Sequence, residues 1–322
     1  MKILDQIKEV RSEGLALASA GNFEGAIEKY DQIIKLADEK EDQISKEGMR
    51  VEDILAIAYS ELGYCYRQQD EGNSAIDQVT TAIGYSGHAL TFSARGRAHE
   101  EAGLVERLME YNHIDATEHT REALRMYERA MDEENDPTEE LVMDREERQS
   151  KLFRAYGLFA VNLRDLARQE AGEGPRRSLL EEAVLYAEKE TKGRDELGET
   201  NSNAYHVLGA IQGELILTSI ESGKKFTLKA ARLSLTKAKE YAKTPREIAN
   251  IKHAIFAAER NHNPMSLESV AAYRSFLDTF GDLSSADVRE FKDEQKLYED
   301  AKKLGGPYLE ETTALVEAKI NK

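Results

Sequence analysis

The chain has 322 residues, of which 33% are charged, 5 are proline and none is tryptophan. This composition is typical of many amphipathic helices joined by short polar turns, and no run of alternating β-branched residues indicates a sheet. The formal net charge of −17 repels a phosphate backbone, so general nucleic-acid binding is not expected.

The sequence also predicts where the protein works. No stretch has the length and apolar character of a membrane span or a signal peptide, so a soluble cytoplasmic protein is expected. Cys65 is the single cysteine and cannot form an internal disulfide. Its apolar neighbours predict a buried, unreactive thiol.

The first predicted element is a helical hairpin near the N-terminus. Its turn is AGNFEG, and its second helix carries Ala26, Tyr30 and Ile33 on one face. A small residue followed four and seven positions later by larger apolar residues predicts a helix that packs closely on its partner.

The second hairpin follows an extra stretch, ADEKEDQISKEGMRVED. Its first helix contains a glycine, which costs about 1 kcal/mol relative to alanine inside a helix and therefore indicates close approach of a neighbouring helix. Such a glycine recurs four residues after an aromatic or apolar residue, at Gly14, Gly63, Gly96, Gly157 and Gly209.

The third hairpin begins normally at Phe92, but its second-helix pattern comes late, at Ala123, Tyr127 and Ala130. The intervening LMEYNHIDATEH is predicted to be an insertion that prolongs helices and projects from one edge. The fourth and fifth hairpins are also longer than the usual repeat of about 34 residues.

The pattern weakens after Pro245. Residues 246–262 and 266–280 predict a degenerate sixth hairpin, and two further helices, one of them ending near Leu304, are predicted to cap the C-terminus. The predicted organisation is five hairpins with insertions over residues 1–245, followed by the degenerate hairpin and capping helices over residues 246–322.

These units resemble tetratricopeptide repeats, which carry an aromatic residue, Leu-Gly, Tyr, Ala, a large apolar residue and a late Pro. The second unit reads Tyr59, Leu62, Gly63, Tyr66, Ala75, Val79 and Ala82. The fifth reads Tyr205, Leu208, Gly209, Ala231, Leu235, Ala238 and Pro245. The resemblance implies an all-α fold, a right-handed α-α superhelix of about five to six hairpins plus capping helices. It also implies a scaffold or adaptor that binds a protein or extended peptide in a concave groove.

Helical spacing from the shared glycine predicts which residues line that groove. They are Lys8, Arg11, Tyr64, Arg67, Arg97, Lys151, Arg154, Asn162, Asn203 and His206. Glu61, Glu100, Glu101 and Glu214 share the face. The excess of basic over acidic residues predicts an acidic partner segment. Three alternatives stay open: these positions are merely solvated, the basic residues pair with the nearby glutamates, or the C-terminal helices fill part of the groove.

A second class of function is a metal-dependent helical-bundle enzyme. Glu110 with His113, and Glu259 with His262, have the Glu-x-x-His spacing of di-iron bundles. In a chain this rich in glutamate, such a pair is expected by chance. No HExxH, P-loop or dinucleotide-binding pattern occurs, so no catalytic residue, metal or cofactor is predicted.

A third class is binding of an anionic partner through residues 224–252. Lys229, Arg232, Lys239 and Lys243 form a basic stripe on a helix predicted to begin near Leu228. A solvated outer face explains this stripe, and an acidic protein, an anionic membrane or a nucleic acid are the alternatives. The sequence leaves homo-oligomerisation open.

Overall fold

A computed structural model describes residues 2–133, 137–263 and 266–281. Over these residues the chain forms fourteen α-helices and no strand, which confirms the all-α prediction. Contacts divide the chain into two compact units, Met1–Leu166 and Ala167–Lys322. The capping helices predicted beyond residue 281 lie outside the described residues, and the superhelix stays a prediction.

The first unit contains three helical hairpins and the helices that follow them. Their bounds are α1 (Ile3–Ser19), α2 (Phe23–Glu39), α3 (Glu41–Lys46), α4 (Val51–Gln68), α5 (Gly72–Ser86), α6 (Phe92–Val105), α7 (His113–Asp132), α8 (Pro137–Val142) and α9 (Arg145–Gln169). Helices α1, α4 and α6 pack on α2, α5 and α7 respectively, and α4 packs on α6. The first helices of the second and third hairpins therefore pack together, whereas the first hairpin contacts α4 through its second helix, α2.

The second unit is built in the same way. Its helices are α10 (Glu173–Glu196), α11 (Ser202–Leu215), α12 (Glu221–Tyr241), α13 (Pro245–His262) and α14 (Leu267–Leu277). Helix α11 packs on α12 and α13, and α13 packs on α14, so the predicted sixth hairpin is present as a helix pair. Thr244 and Glu247 form a capping box at the start of α13, with Pro245 in its first turn.

The recurrent glycines lie at close helix contacts. An added Cβ would lie 2.6 Å from Val79 Cγ2 at Gly63 and 2.9 Å from Tyr127 Cε1 at Gly96. At Gly209 it would lie 2.5 Å from Leu235 Cγ. These neighbours are the large apolar residues predicted on the second helices, so the predicted close contacts are confirmed at these three glycines. Gly157 is buried in α9, and its close contact stays a prediction.

The predicted insertion LMEYNHIDATEH prolongs the third hairpin, as expected. It forms the π-helical end of the first helix, Glu106–Glu110, a left-handed turn at Tyr111 with φ 55°, and the first turns of α7. The prediction that it is only an edge feature is wrong for its second half. Ala116 and Thr117 are buried because α7 begins its packing against α6 there.

The extra stretch after the first hairpin also has a structural role. Ile44 of α3 is fully buried, and both carboxylate oxygens of Glu47 accept hydrogen bonds from the backbone of α1. Ile3 N and Leu4 N each lie 3.1 Å from Glu47. A carboxylate at this position satisfies free N–H groups and complements the helix dipole.

Helix α12 begins at Glu221, two turns before the predicted start near Leu228. The intervening residues contain only one weak helix breaker, Gly223, and so extend the helix into solvent. The predicted apolar face is confirmed, because Leu228, Ala231, Leu235 and Ala238 are buried. Tyr205 of α11 packs on this face.

Candidate functional site

A cluster of charged side chains lies where α4, α6 and α9 meet in the first unit. We call it the charge cluster, and it consists of Glu61, Arg67, Arg97, Glu100, Glu101, Lys151 and Arg154. All seven residues were predicted on the groove face. In α6, Arg97, Glu100 and Glu101 share a side of the helix because residues three and four apart are neighbours.

Arg97 is the centre of the charge cluster and only 1% exposed. Its guanidinium donates to both oxygens of Glu61, at 3.0 and 3.1 Å, and to Glu101 at 3.1 Å. Arg67 donates to the other oxygen of Glu101 at 2.6 Å. Because a buried charge is tolerated only when it is paired and hydrogen-bonded, these contacts hold the helices in one register.

Glu100 links the charge cluster to α7 and α9. The hydroxyl of Tyr127 donates to it at 2.7 Å, and Arg154 Nε lies 3.0 Å from its other oxygen. Burial opposes ionisation of Glu100, but Lys151, Arg154 and Arg97 lower its pKa to about 2. The carboxylate is therefore ionised at neutral pH.

Lys151 differs from the other bases of the charge cluster. Burial and the nearby Arg97 lower its pKa, whereas the attraction of Glu100 and Glu61 for its charge raises it. Among the described residues, no carboxylate lies within ion-pair distance of its ammonium group. Four bases thus face three acids, and Lys151 is the surplus cation.

A cleft of about 280 Å³ lies beside α1 in the same unit. Its walls are aliphatic side chains from four segments: Leu4, Ile7, Ile33, Ile54, Ile57 and Val142. Lys8, Arg11, Tyr30, Asp53, Glu140, Asp144 and Glu147 supply polar atoms to its lining. An apolar concavity with a few polar groups is the usual form of a small-ligand site.

Arg11 closes one side of this cleft. Its guanidinium donates to Glu147 at 2.7 and 3.3 Å and to the carbonyl oxygen of Val142 at 3.1 Å. Burial lowers the pKa of Arg11, but Glu147 outweighs this effect and raises it above the ordinary value. The first helix of the unit is thereby tied to α9.

The structure places most predicted groove residues of the first unit in internal contacts. Arg97 and Asn162 are buried, and Asn162 Nδ2 donates to Ala116 O at 3.1 Å and to Thr120 Oγ1 at 2.6 Å. From these positions neither side chain can reach a peptide, which corrects the prediction for both. Arg67 is paired with Glu101, as the alternative of pairing with the groove glutamates anticipated. Arg11 is paired with Glu147, which was not among the predicted groove residues.

Several predicted groove residues remain accessible. Lys8 is exposed, and the Arg154 side chain is 40% exposed. Tyr64 is half-buried, packs edge-on against Phe23 and lies 5.4 Å from the Arg67 guanidinium. In the second unit, Asn203 is exposed and His206 is half-buried on α11. For these residues, peptide binding stays a prediction.

Sequence reasoning missed the role of the acidic segment around α8. Glu139 is buried and accepts hydrogen bonds from Phe92 N and, at 3.1 Å, from Ser93 N. It therefore caps α6. The only signal in the sequence of this segment is its high content of acidic residues, and that content does not show that Glu139 bonds to the distant start of α6.

The two Glu-x-x-His pairs do not converge as metal ligands. Glu110 and His113 lie on opposite sides of the left-handed Tyr111, so they do not share a helix face. Both carboxylate oxygens of Glu259 accept hydrogen bonds from Arg232, from Nε at 2.6 Å and from Nη2 at 2.8 Å. Within the described ranges, no group of three or more His, Cys, Asp or Glu side chains is placed to hold a metal ion.

His99 of α6 and His119 of α7 form a close pair outside the charge cluster. Their Nδ1 atoms lie 3.0 Å apart, so one ring donates and the other accepts. Burial and His119 lower the pKa of His99 from 6.5 to about 4, and burial also lowers that of His119. The pKa of His99 is raised by Glu122 and lowered further by Arg95. The pKa of His119 is raised by Asp115 and Glu118.

The histidine pair predicts a pH dependence of stability. The unfolded chain binds a proton near pH 6.5, while folded His99 binds one only near pH 4, so stability falls as the pH falls through this window. The slope is at most about 1.4 kcal/mol per pH unit for each proton. In urea titrations, His99→Gln should flatten this slope and the exposed His88→Gln should not. An unchanged slope in His99→Gln would contradict the assignment.

Two further sequence predictions concern Cys65 and the membrane. Cys65 is buried, as predicted, and burial with Glu61 and Glu101 raises the pKa of its thiol to about 12, which disfavours the reactive thiolate. In the part of the chain that the structure describes, no helix combines the length and apolar character needed to cross a membrane.

Comparisons with known proteins leave the function open. No protein family matches the sequence, and no curated protein is significantly similar to it. A solved chain described as "Computational Design of Self-Assembling Cyclic Protein Homooligomers" is 14% identical, with 88% of this chain and 99% of that chain covered. The TM-score of 0.22 is too low to support an argument about fold, assembly or function.

Proposed function

We propose that this protein is a cytoplasmic scaffold or adaptor of the tetratricopeptide-repeat type, without enzymatic activity. It holds a partner protein or an extended peptide along the first helices of the first unit. The partner segment is acidic, and one of its carboxylates binds between Lys151 and Arg154.

The observation that supports this proposal most directly is the surplus cation in the charge cluster. Lys151 is half-buried and has no carboxylate within ion-pair distance among the described residues, so its ammonium can donate to an added anion. Arg154 lies one turn further along α9 and is 40% exposed, so it can share that anion. Both donors suit a carboxylate.

The contacts of Arg67 and Lys151 decide which of the two residues should be changed to test peptide binding. Charge reversal at Arg67 is a poor test, because this side chain is only 8% exposed and bonded to the buried Glu101. Its reversal would lower the melting temperature through a buried like-charge pair. Lys151→Gln instead removes the surplus cation and leaves three acids facing three bases.

The test begins with co-purification of the native protein and identification of its partner. Lys151→Gln should weaken partner binding at least about fivefold, because a charge-assisted hydrogen bond is lost. Binding is measured well below the melting temperature, because loss of Lys151 also removes an attraction to the buried Glu100 and Glu61 carboxylates. Arg177→Gln, in the exposed Arg177–Glu181 pair of α10, is the matched control. Unchanged binding by Lys151→Gln contradicts the site, and loss upon changing Lys229 instead places it on α12.

The surface of α12 supports a second candidate, an anionic partner bound there. Arg232 is paired with Glu259, but Lys229 and Lys239 are exposed. Phe226 and Leu233 are also exposed, and they lie near Lys229 on the helix. Basic and apolar side chains together suit an anionic surface. Binding that persists at low salt and fails at physiological salt would indicate a nonspecific contact.

A further inference from the structure

Three arginines line a cavity of about 270 Å³ between the end of α5 and the helices α6 and α7. They are Arg95 of α6 and Arg125 and Arg129 of α7, and Glu122 is the only carboxylate among the described residues of that lining. Arg125 and Arg129 are exposed and Arg95 is half-buried, so a ligand in the cavity can reach their guanidinium groups. The cavity is therefore positive, in a chain whose formal net charge is −17.

Arg95 and Arg129 are each held by one contact that leaves other donors free. Arg95 Nε donates to Ser86 O at 3.1 Å, and its two Nη groups form no hydrogen bond within the described residues. The Arg129 guanidinium lies 5.5 Å from the centre of the Phe92 ring and has no carboxylate within ion-pair distance in the same part of the chain. Phe92 and Arg95 are one turn apart on α6, so the ring contact brings Arg129 to the side of α6 that carries Arg95. A guanidinium has five N–H donors, so both side chains can bind an anion and keep these contacts.

Arg125 supplies the third positive charge. Its Nη1 donates to Glu122 at 3.1 Å, and its side chain is 62% exposed. His99 also lines the cavity, but burial and His119 lower its pKa to about 4, so the ring is neutral at pH 7. Three arginines less one glutamate give the lining a formal charge of +2.

The other acidic side chains nearby lie towards the start of α7. Asp115 and Glu118 line a neighbouring cavity together with His119. Glu118 precedes Arg125 by seven residues, which is about 10 Å along a helix that rises 1.5 Å per residue. This separation exceeds the Debye length of about 8 Å at physiological ionic strength, so the two acids offset the field of the arginines only partly.

A phosphate monoester matches this charge and these donors. At pH 7 its phosphoryl group carries a charge of about −1.5 to −2 and three acceptor oxygens, whereas a carboxylate has a single charge and two oxygens. Guanidinium groups bind phosphate oxygens through paired N–H donors. A volume of about 270 Å³ lies at the small end of ligand pockets, which span about 300–1,000 Å³, so the cavity fits a phosphoryl group and a short stem.

We propose that this cavity binds a phosphate monoester, whose phosphoryl oxygens accept hydrogen bonds from Arg95, Arg125 and Arg129. A small molecule or a phosphorylated serine of a peptide presents this same group. A nucleic acid is disfavoured, because the net charge of −17 repels an extended polyanion. The site does not depend on the proposed carboxylate site at Lys151, because none of its arginines belongs to the charge cluster.

Calorimetric titration of the full chain with glycerol 3-phosphate and with N-acetyl-phosphoserine N-methylamide tests the proposal. At least one ester should bind, and acetate should bind at least about tenfold more weakly, because it has fewer oxygens and a smaller charge. Tighter binding of the phosphoserine amide identifies a phosphorylated peptide as the source, and tighter binding of glycerol 3-phosphate identifies a free ester. If neither ester binds, if acetate binds equally well, or if a short oligothymidylate binds more tightly than both, the proposal is overturned.

Arg129→Gln and a matched variant of the same helix test the cavity itself. Arg129→Gln should weaken ester binding about tenfold or more, because one cation and its donors are lost. Arg121→Gln is the control, because Arg121 is also exposed on α7 and lies 5.4 Å from the centre of the Phe159 ring, outside the cavity. It removes the same charge and the same kind of ring contact, so it should bind like the native chain. Equal loss in both variants would contradict a specific site.

Glu122→Gln provides a second test, with a change of the opposite sign. It removes the carboxylate of the lining and releases Arg125 from its ion pair, so ester binding should strengthen severalfold, with the gain diminishing at higher salt. Unchanged or weaker binding by Glu122→Gln overturns the proposal even if Arg129→Gln fails to fold. Lys151→Gln should leave ester binding unchanged, which keeps failure of this proposal distinct from failure of the peptide site. Loss of ester binding in Lys151→Gln would place the ester at the charge cluster and overturn the cavity site.

Discussion

Glu61→Gln is expected to lower the free energy of unfolding by about 3–5 kcal/mol, because it removes one partner of a buried ion pair. Glu61 receives two hydrogen bonds from the Arg97 guanidinium, which is itself almost inaccessible to water. The amide can accept only one of them, and its NH₂ group then faces a guanidinium donor. Arg97 would keep its charge in a site that no longer compensates it.

Urea denaturation of the full chain measures this loss, and an exposed pair supplies the control. Glu181→Gln removes a glutamate that lies 2.8 Å from Arg177 on the surface of α10, where both side chains are about half exposed. Such pairs contribute about 0–1 kcal/mol, so the control should unfold close to the native midpoint. Equal midpoints for both variants would show that the charge cluster does not stabilise the first unit.

The hairpins could be predicted from sequence because their signals are local. A glycine four residues after an aromatic residue, followed by a small and a large apolar residue at helical spacing, located the contact between Gly63 and Val79. The same rule located Tyr127 against Gly96, despite the prolonged helices between them. Periodicity within one helix fixes its buried face, and a short turn fixes its partner.

Whether the predicted groove face is exposed to solvent or buried against another helix could not be predicted in the same way. Helical spacing correctly placed Arg97 on the same face as Glu101, but spacing does not show whether that face meets water or another helix. The outcome depends on long-range contacts, such as the pair between Arg11 and Glu147. Two residues more than a hundred positions apart leave no periodic signal in one sequence.

The cleft beside α1 was missed for a related reason. Asp53 stands in VEDILAIA, where an acid in the first helical turn is sufficiently explained by the helix dipole. Its bonds to Thr91 and its place in the lining of the cleft appear only when the hairpins are assembled. A single acid before an apolar run does not distinguish a ligand contact from a helix cap.

Gly63→Leu is expected to cost about 1–3 kcal/mol of unfolding free energy by overpacking the contact between α4 and α5. A Cβ at Gly63 would already lie 2.6 Å from Val79 Cγ2, and the next neighbours are Ala75 O and Glu101 Cγ, both at 3.6 Å. The added side chain must therefore displace Val79 or enter the charge cluster.

Gly84→Ala on α5 is the control, because no neighbouring heavy atom in the described structure lies within 4 Å of its added Cβ. It should be neutral or stabilise by up to about 1 kcal/mol through helix propensity. Adding Val79→Ala to Gly63→Leu should recover part of the loss, because the truncated side chain makes room for the leucine and the two sites are coupled. If the two losses simply add in chemical denaturation, the close contact between Gly63 and Val79 is not the cause.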